Sequence, residues 1–285
     1  MNTTISLSSS LSQNLASLKS TESLMNKTEY KLATGKKVNS ALDDPIAYFT
    51  SSAHLDRASD LQTLKDGMSE SIQTIKAANE GIESIKDLMS DGKALLQSAL
   101  SADTQTDMEG YISQYNEVLD QIDDLSEDSG YGGVNLLGGT TQQLEVVFDE
   151  DGESKITLTG FDASTTGLSL TNAASASFYT GTDLAGDFAV TTSGINALIT
   201  ELDDAKNTLR TKAKTFSTQL SVVEARNDFT SNMITTLEDG SANLVNADTT
   251  KEGVNLTTLQ TKQQLAISSL SIANSASQAV LSLFS

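Results

Sequence analysis

From Leu61 to Met89 apolar residues recur at steps of three and four: Leu61, Leu64, Met68, Ile72, Ile75, Ala78, Ile82, Ile85 and Met89. A pattern that long, with no proline inside it, predicts one extended helix carrying a narrow apolar seam, which only neighbouring long helices can cover. "ALDDP" supplies its start, with Asp44 placed to cap the free N–H groups and Pro45 at the first helical position, so the helix is expected over about Asp44 to Leu100. A second helix follows "TQTDMEG", where Thr106 and Glu109 form a capping-box pattern; Met108, Tyr111, Tyr115, Val118, Ile122 and Leu125 make its stripe and "SGYGG" ends it. A third runs from about Ile195 to Leu237 through Leu198, Leu202, Leu209, Phe216, Leu220 and Val223. The fold class expected is mainly α, a long coiled-coil or helix-bundle rod built from both termini, with a small β-hairpin region in the middle.

The hairpin is "QLEVVFDEDGESKITLTG", about residues 140–160, where β-branched runs flank a turn at Asp151-Gly152. From about 162 to 192 the chain is rich in Ser, Thr, Gly and Ala, which reads as short strands and loops.

Charge is distributed unevenly. The chain has 18 Lys and Arg against 38 Asp and Glu, a net charge of −20. Yet none of these residues precedes Lys19, and only Lys262 follows Glu252. Within the C-terminal segment, Leu256, Leu259, Gln263, Ala266, Leu270, Ala273, Ser277, Val280 and Phe284 lie along one helical stripe, with Thr249 and Glu252 offering another capping box upstream. The N-terminal segment carries Leu11, Leu15, Leu18, Met25 and Leu32, led in by Ile5 and Leu7, and interrupted by Glu22 and Glu29. An ordinary surface helix covers its outer face with charge. Helices neutral all round suit a place where many copies crowd together and like charges would repel, so both termini are expected in the core of a self-assembly, folding fully as neighbours bury them. The assembly interface is assigned to Leu7, Leu11, Leu15, Leu18, Leu256, Leu259, Leu270, Val280, Leu281, Leu283 and Phe284.

Composition closes off most chemistry. With no Cys and a single His, His54, thiol catalysis, zinc-thiolate sites and His-based catalytic units have no donors, and His54 reads as a surface or packing residue. The acidic balance argues against nucleic acid as a partner. No apolar run is long enough to span a membrane. "DEDG" at Asp149 to Gly152 lacks the alternating ligands of a calcium loop and reads as a turn; "GYGGVNLLGG" lacks the Gly-Lys-Ser/Thr of a phosphate loop. Asp123-Asp124 and Asp203-Asp204 read as solvated helix faces. No catalytic residue, cofactor or metal is expected. The N-terminus lacks the basic n-region and apolar core of a secretory signal, so any export is expected to use a route that reads no cleaved signal.

Two stretches together resemble a known family. "LATGKKVNSALDDPIAYFTSSAHLDRASDL", with its Gly-x-x-Val-Asn-Ser-Ala-x-Asp-Asp core from Gly35 to Asp44, is similar to the N-terminal segment of bacterial flagellins. "NADTTKEGVNLTTLQTKQQLAISSLSIANSASQAVLSLF" resembles their C-terminal segment, and the Asp-Pro and Tyr-Phe-Thr at Asp44, Pro45 and Tyr48 to Thr50 look most like alphaproteobacterial members. The resemblance implies a secreted structural subunit of the extracellular flagellar filament, a homopolymer with no enzymatic role. It implies an inner terminal-helix domain of residues 1–42 and 246–285 and a rod domain of 43–245, with a rudimentary outer segment at about 162–192. Asn39, Asp43, Asp44 and Pro45 would form the helix cap and spoke between them. Implied partners are a flagellar export chaperone at the C-terminal helix and the filament cap and hook-junction proteins. Two alternatives stay open, a hook–filament junction protein with similar ends and a secreted coiled-coil adhesin; a zinc protease on this scaffold would need His-Glu-x-x-His, which one His cannot supply.

Overall fold

The computed structural model describes residues 9–174, 179–182, 188–190 and 192–283. Among the described residues five helices carry the fold: α1 (Ser9–Thr34), α2 (Pro45–Leu100), α3 (Gln105–Asp128), α4 (Thr192–Val245) and α5 (Thr249–Leu283). Between α3 and α4 come two antiparallel pairs, β1 (Gln143–Val147) with β2 (Lys155–Thr159) and β3 (Tyr179–Thr182) with β4 (Phe188–Val190). Two compact units form, one of residues 1–58 with 235–285 and one of 59–234.

Within the 59–234 unit, α2 and α4 run antiparallel: Asn227 donates to Ser69 Oγ at 3.2 Å, Lys76 pairs with Glu224 at 3.3 Å, and Lys93 pairs with Asp203 at 2.7 Å. The buried rows step by sevens. On α2 they are Leu61, Met68, Ile75, Ile82, Met89 and Leu96; on α4, Ile195, Leu202, Leu209, Phe216 and Val223. A strict seven-residue repeat falls short of two full helical turns, so helices following it wind about one another with a left-handed twist. Each such side chain removed from water stabilises the unit by about 1.5–3 kcal/mol before entropy is counted.

On α3 the buried set is Met108, Ile112, Tyr115, Leu119, Ile122 and Ser126. Tyr111, Val118 and Leu125 of the expected stripe stand at its margin, only partly buried. The expected row is thus half right: neighbours on two sides bury the strip next to Met108, Tyr115 and Ile122, and its second row lies one residue further along. Likewise α4 runs past the expected Leu237 to Val245. There Ser241 hydrogen-bonds Ser51 at 2.7 Å in a buried pair.

The caps follow the expected chemistry at shifted positions. Asp44 Oδ1 accepts from Ala47 N at 3.0 Å at the start of α2. For α3 the cap is Thr104, not Thr106: its Oγ1 accepts from Asp107 N at 3.2 Å and donates to Asp107 Oδ2 at 2.7 Å. For α5 it is Asp248, one residue before Thr249, accepting from Lys251 N at 3.1 Å. In both cases the first side-chain acceptor met before the helical run wins, because it reaches the free N–H groups without costing a helical residue. Thr104→Ala is expected to destabilise the 59–234 unit by about 1 kcal/mol, read as a lower urea midpoint with unchanged slope.

The first hairpin sets Leu144 opposite Leu158 and Val146 opposite Ile156 on one face, with Val146 and Leu158 buried. Its turn closes as Ser154 N donates to Asp149 Oδ2 at 2.9 Å, and Gly152 takes φ 72°, a left-handed conformation that glycine reaches without strain. "DEDG" is therefore a turn, as expected. Gly160 is needed for a close crossing: a Cβ there would lie 2.8 Å from the carbonyl oxygens of Leu136 and Gly139.

Residues 162–174 are laid down by side chains of α3. Asp123 accepts from Thr165 N at 2.6 Å and from Thr165 Oγ1 at 2.8 Å. Asn116 both donates to Ala173 O and accepts from Ala173 N, each at 2.9 Å, and Leu168, Leu170 and Ala173 are buried. Of the two acidic pairs, Asp124 and Asp204 are exposed as expected, whereas Asp123 clamps a loop and the half-exposed Asp203 pairs with Lys93. Burial, with the Glu201 carboxylate adding, pushes the Tyr115 hydroxyl well above its ordinary range, so it stays a neutral donor to Thr171 O at 3.4 Å.

Candidate assembly surfaces

In the unit formed by the two ends, α1 packs along α5. On α5 the covered side is Leu256, Leu259, Gln263, Ala266, Leu270 and Ala273, all half-buried. On α1 it is Asn14, Leu18, Thr21, Met25, Thr28 and Leu32, of which Thr28 is buried. Polar residues thus alternate with apolar ones in that seam, while Leu15 lies at its edge, 38% exposed. One ion pair, Lys31 with Glu252 at 3.8 Å, ties the base of the pair. Of the other residues assigned to the interface, Leu7 and Phe284 lie outside the described residues, as do the side chains of Leu11, Val280, Leu281 and Leu283.

The chain between α1 and α2 is held by backbone bonds. Gly35, at φ 69°, ends α1 in the left-handed conformation of a helix C-terminus. Lys37 N then donates to Val245 O at 2.7 Å, and Ala247 N donates to Gly35 O at 2.8 Å. Val38 and Val245 are buried there. Asn39 turns its amide back to Lys36 O at 3.1 Å. Asp43 Oδ2 accepts from Asn39 N and Ser40 N, each at 3.1 Å, and from Ser40 Oγ at 3.3 Å. These bonds, the Asn39 amide first, hold its carboxyl below the usual carboxylate range. Asn39 and Asp43 thus shape the connection, while Asp44 and Pro45 start α2.

The periodicity also concealed a second apolar face. Val254, Leu265 and Ile272 are 63, 65 and 68% exposed, on roughly the opposite side of α5 from the row covered by α1. In the same unit Leu42, Ile46 and Phe49 are 96, 80 and 62% exposed at the entry to α2. Both sides of α5 being apolar, no single stripe dominates, which is why a search for one stripe finds only the inner one. Among the described residues no cluster of metal-ligating side chains occurs, and no helix is long and apolar enough to cross a membrane.

Two family models match this chain, that of the bacterial flagellin N-terminal helical region over residues 5–142 and that of the C-terminal helical region over 195–284. Flagellin FljM of Caulobacter vibrioides is 30% identical over 273 residues, 95% of this chain and 94% of its own length. The chain belongs to the bacterial flagellin family. Flagellin FljO of the same organism is 29% identical over the same span, and a flagellin of Brucella melitensis is 28% identical over 276 residues, 95% of each chain. Relatives over most of the length are thus alphaproteobacterial flagellins. As a flagellin, the chain is a structural subunit of the bacterial flagellar filament, assembling with its own kind outside the cell, and not an enzyme. The hairpin and the β3–β4 pair fall between the two matched regions of this flagellin.

Proposed function

We propose that this flagellin polymerises through its two ends, whose outermost stretches before Lys19 and after Lys262 carry no charged side chain, residues 1–42 and 246–285 forming an inner domain around which residues 43–245 form the rod of an outer tube. The observation that carries this is the outward face of α5: three large apolar side chains, each more than 60% exposed, on a helix whose other side is already covered by α1. A face of that kind is costly in water and useful only where another surface covers it. Of the residues assigned to the interface, Leu18, Leu256, Leu259 and Leu270 hold α1 to α5 within the subunit and so support that face from behind, while Leu7, Leu11 and Leu15 at one end and Val280, Leu281, Leu283 and Phe284 at the other extend the contact between subunits. Asn39, Asp43, Asp44 and Pro45 fix the turn from inner to outer domain. The exposed face of α5 also suits an export chaperone, which would cover it before secretion. The filament cap and hook-junction proteins then meet the same ends at the two tips of the polymer.

The test is Leu265→Asn with Ile272→Asn in the full chain. Neither residue touches the α1 side, so monomer helicity is expected to hold. The critical concentration for seeded polymerisation is expected to rise at least about tenfold, since each lost burial costs more than 1.4 kcal/mol. Unchanged assembly would refute the role of this face.

A further inference from the structure

Within the 59–234 unit, α3 carries eight carboxylates and no Lys or Arg. Four of them, Glu117, Asp120, Asp124 and Glu127, are exposed at the three- and four-residue intervals of one helix face, and Glu109, eight residues earlier, is exposed on the same face. No carboxylate of α3 is in an ion pair among the described residues. The same unit contains the reverse feature. Between Asp204 and Glu224 all four charged residues of α4 are basic: Lys206, Arg210, Lys212 and Lys214. Lys212 is occupied, its Nζ lying 5.2 Å from the centre of the Phe161 ring. The other three recur every four residues, spanning about 12 Å, against about 15 Å for Glu117 to Glu127. Lys206 donates to Ser90 Oγ at 2.8 Å and Arg210 to Asn207 Oδ1 at 3.4 Å, but none of the three meets a carboxylate.

We infer that the acidic face of α3 docks onto the Lys206, Arg210 and Lys214 face of α4 in a second copy of this chain. This rests on the filament reading above and adds to it a specific, polar contact away from the apolar ends. Subunits of net charge −20 repel one another unless opposite charges meet locally, because like charges placed face to face cost free energy while matched faces steer the encounter. In a chain with twice as many acids as bases, three cations left unpaired along one face are placed where an acidic surface can find them. Exposed pairs are individually weak, so the contact sets register and salt dependence more than total affinity.

The experiment uses two full-length variants, Glu117→Lys/Asp120→Lys/Asp124→Lys and Arg210→Glu/Lys214→Glu, with monomer helicity checked by circular dichroism. Seeded polymerisation is followed at low and at about 150 mM salt, where charges separated by more than about 8 Å are screened. Each variant alone is expected to need about tenfold more protein to polymerise at low salt, and an equimolar mixture to restore the wild-type value, since the reversed faces then match in pairs. If reversal lowers monomer helicity, Asp120→Asn and Lys214→Gln take its place, each expected to raise the critical concentration about threefold with a shallower salt dependence. Variants that polymerise like wild type, or a mixture that fails to rescue, overturn the contact alone. A wild-type chain that forms no filament overturns the assembly reading, and this contact with it.

Discussion

A chain lacking residues 276–285 is expected to form no filaments, even when seeded, while its 59–234 unit melts as in the full chain. Those ten residues carry no charge and include Val280, Leu281, Leu283 and Phe284. In the assembly proposed above, burying each against neighbouring copies would stabilise the polymer by about 1.5–3 kcal/mol, so losing all four would forfeit several kcal/mol per subunit. Every 1.4 kcal/mol is a factor of about ten in the concentration needed to assemble, which puts the truncated chain out of reach of any practical concentration. The monomer, by contrast, loses nothing from the heptad rows, all of which lie in α2, α3 and α4. Electron microscopy after seeding reads the first effect and a thermal melt by circular dichroism the second. Normal filaments from this truncation would remove the C-terminal residues from the interface.

The contrast between the two units explains how much of this was legible in the residues alone. The rows through Leu61 to Met89 and Leu198 to Val223 could be found by spacing because each of these helices turns one apolar side to the core. Spacing failed by one residue on α3, where two adjacent strips are apolar and the choice between Tyr111 and Ile112 depends on where the neighbours stand. It gave the chemistry of the caps but not their address, since Thr104 and Thr106, or Asp248 and Thr249, are equally able acceptors two or one residues apart. Contacts made at long range left no local mark at all. Nothing about "IDDL" distinguishes Asp123, which clamps Thr165, from Asp124, which is exposed. The outward row of Val254, Leu265 and Ile272 was present in the residues, but a helix apolar on two sides has no dominant face to detect. That ambiguity is itself informative: a helix made for covering on both sides looks poorly patterned to any test that assumes one.

Phe216→Ala is expected to be the most damaging single truncation in the core of the 59–234 unit. The ring is 2% exposed, sits in the seven-residue row between Leu209 and Val223, and tilts against Phe161 with centroids 6.0 Å apart. Removing it abolishes that aromatic contact and leaves a cavity that the backbone of two long helices cannot collapse into, at a cost of about 3–5 kcal/mol. Phe161 is also the ring beneath Lys212 and stands where the chain leaving the hairpin returns to Leu136, its N–H donating to Leu136 O at 2.9 Å. The loss therefore loosens the hairpin as well as the helix seam. For a unit of this size about 4 kcal/mol corresponds to roughly 8–16 °C in Tm, measurable by calorimetry of the monomer. Phe216→Leu keeps most of the volume and is expected to recover more than half of the loss. A shift below about 3 °C for the alanine variant would mean that the row relaxes around the gap and that the heptad seam does not hold the unit as a single packed layer. Because the truncated ends lie in the other unit, this variant and the C-terminal deletion separate the two contributions to the filament: one weakens the subunit, the other the joints between subunits.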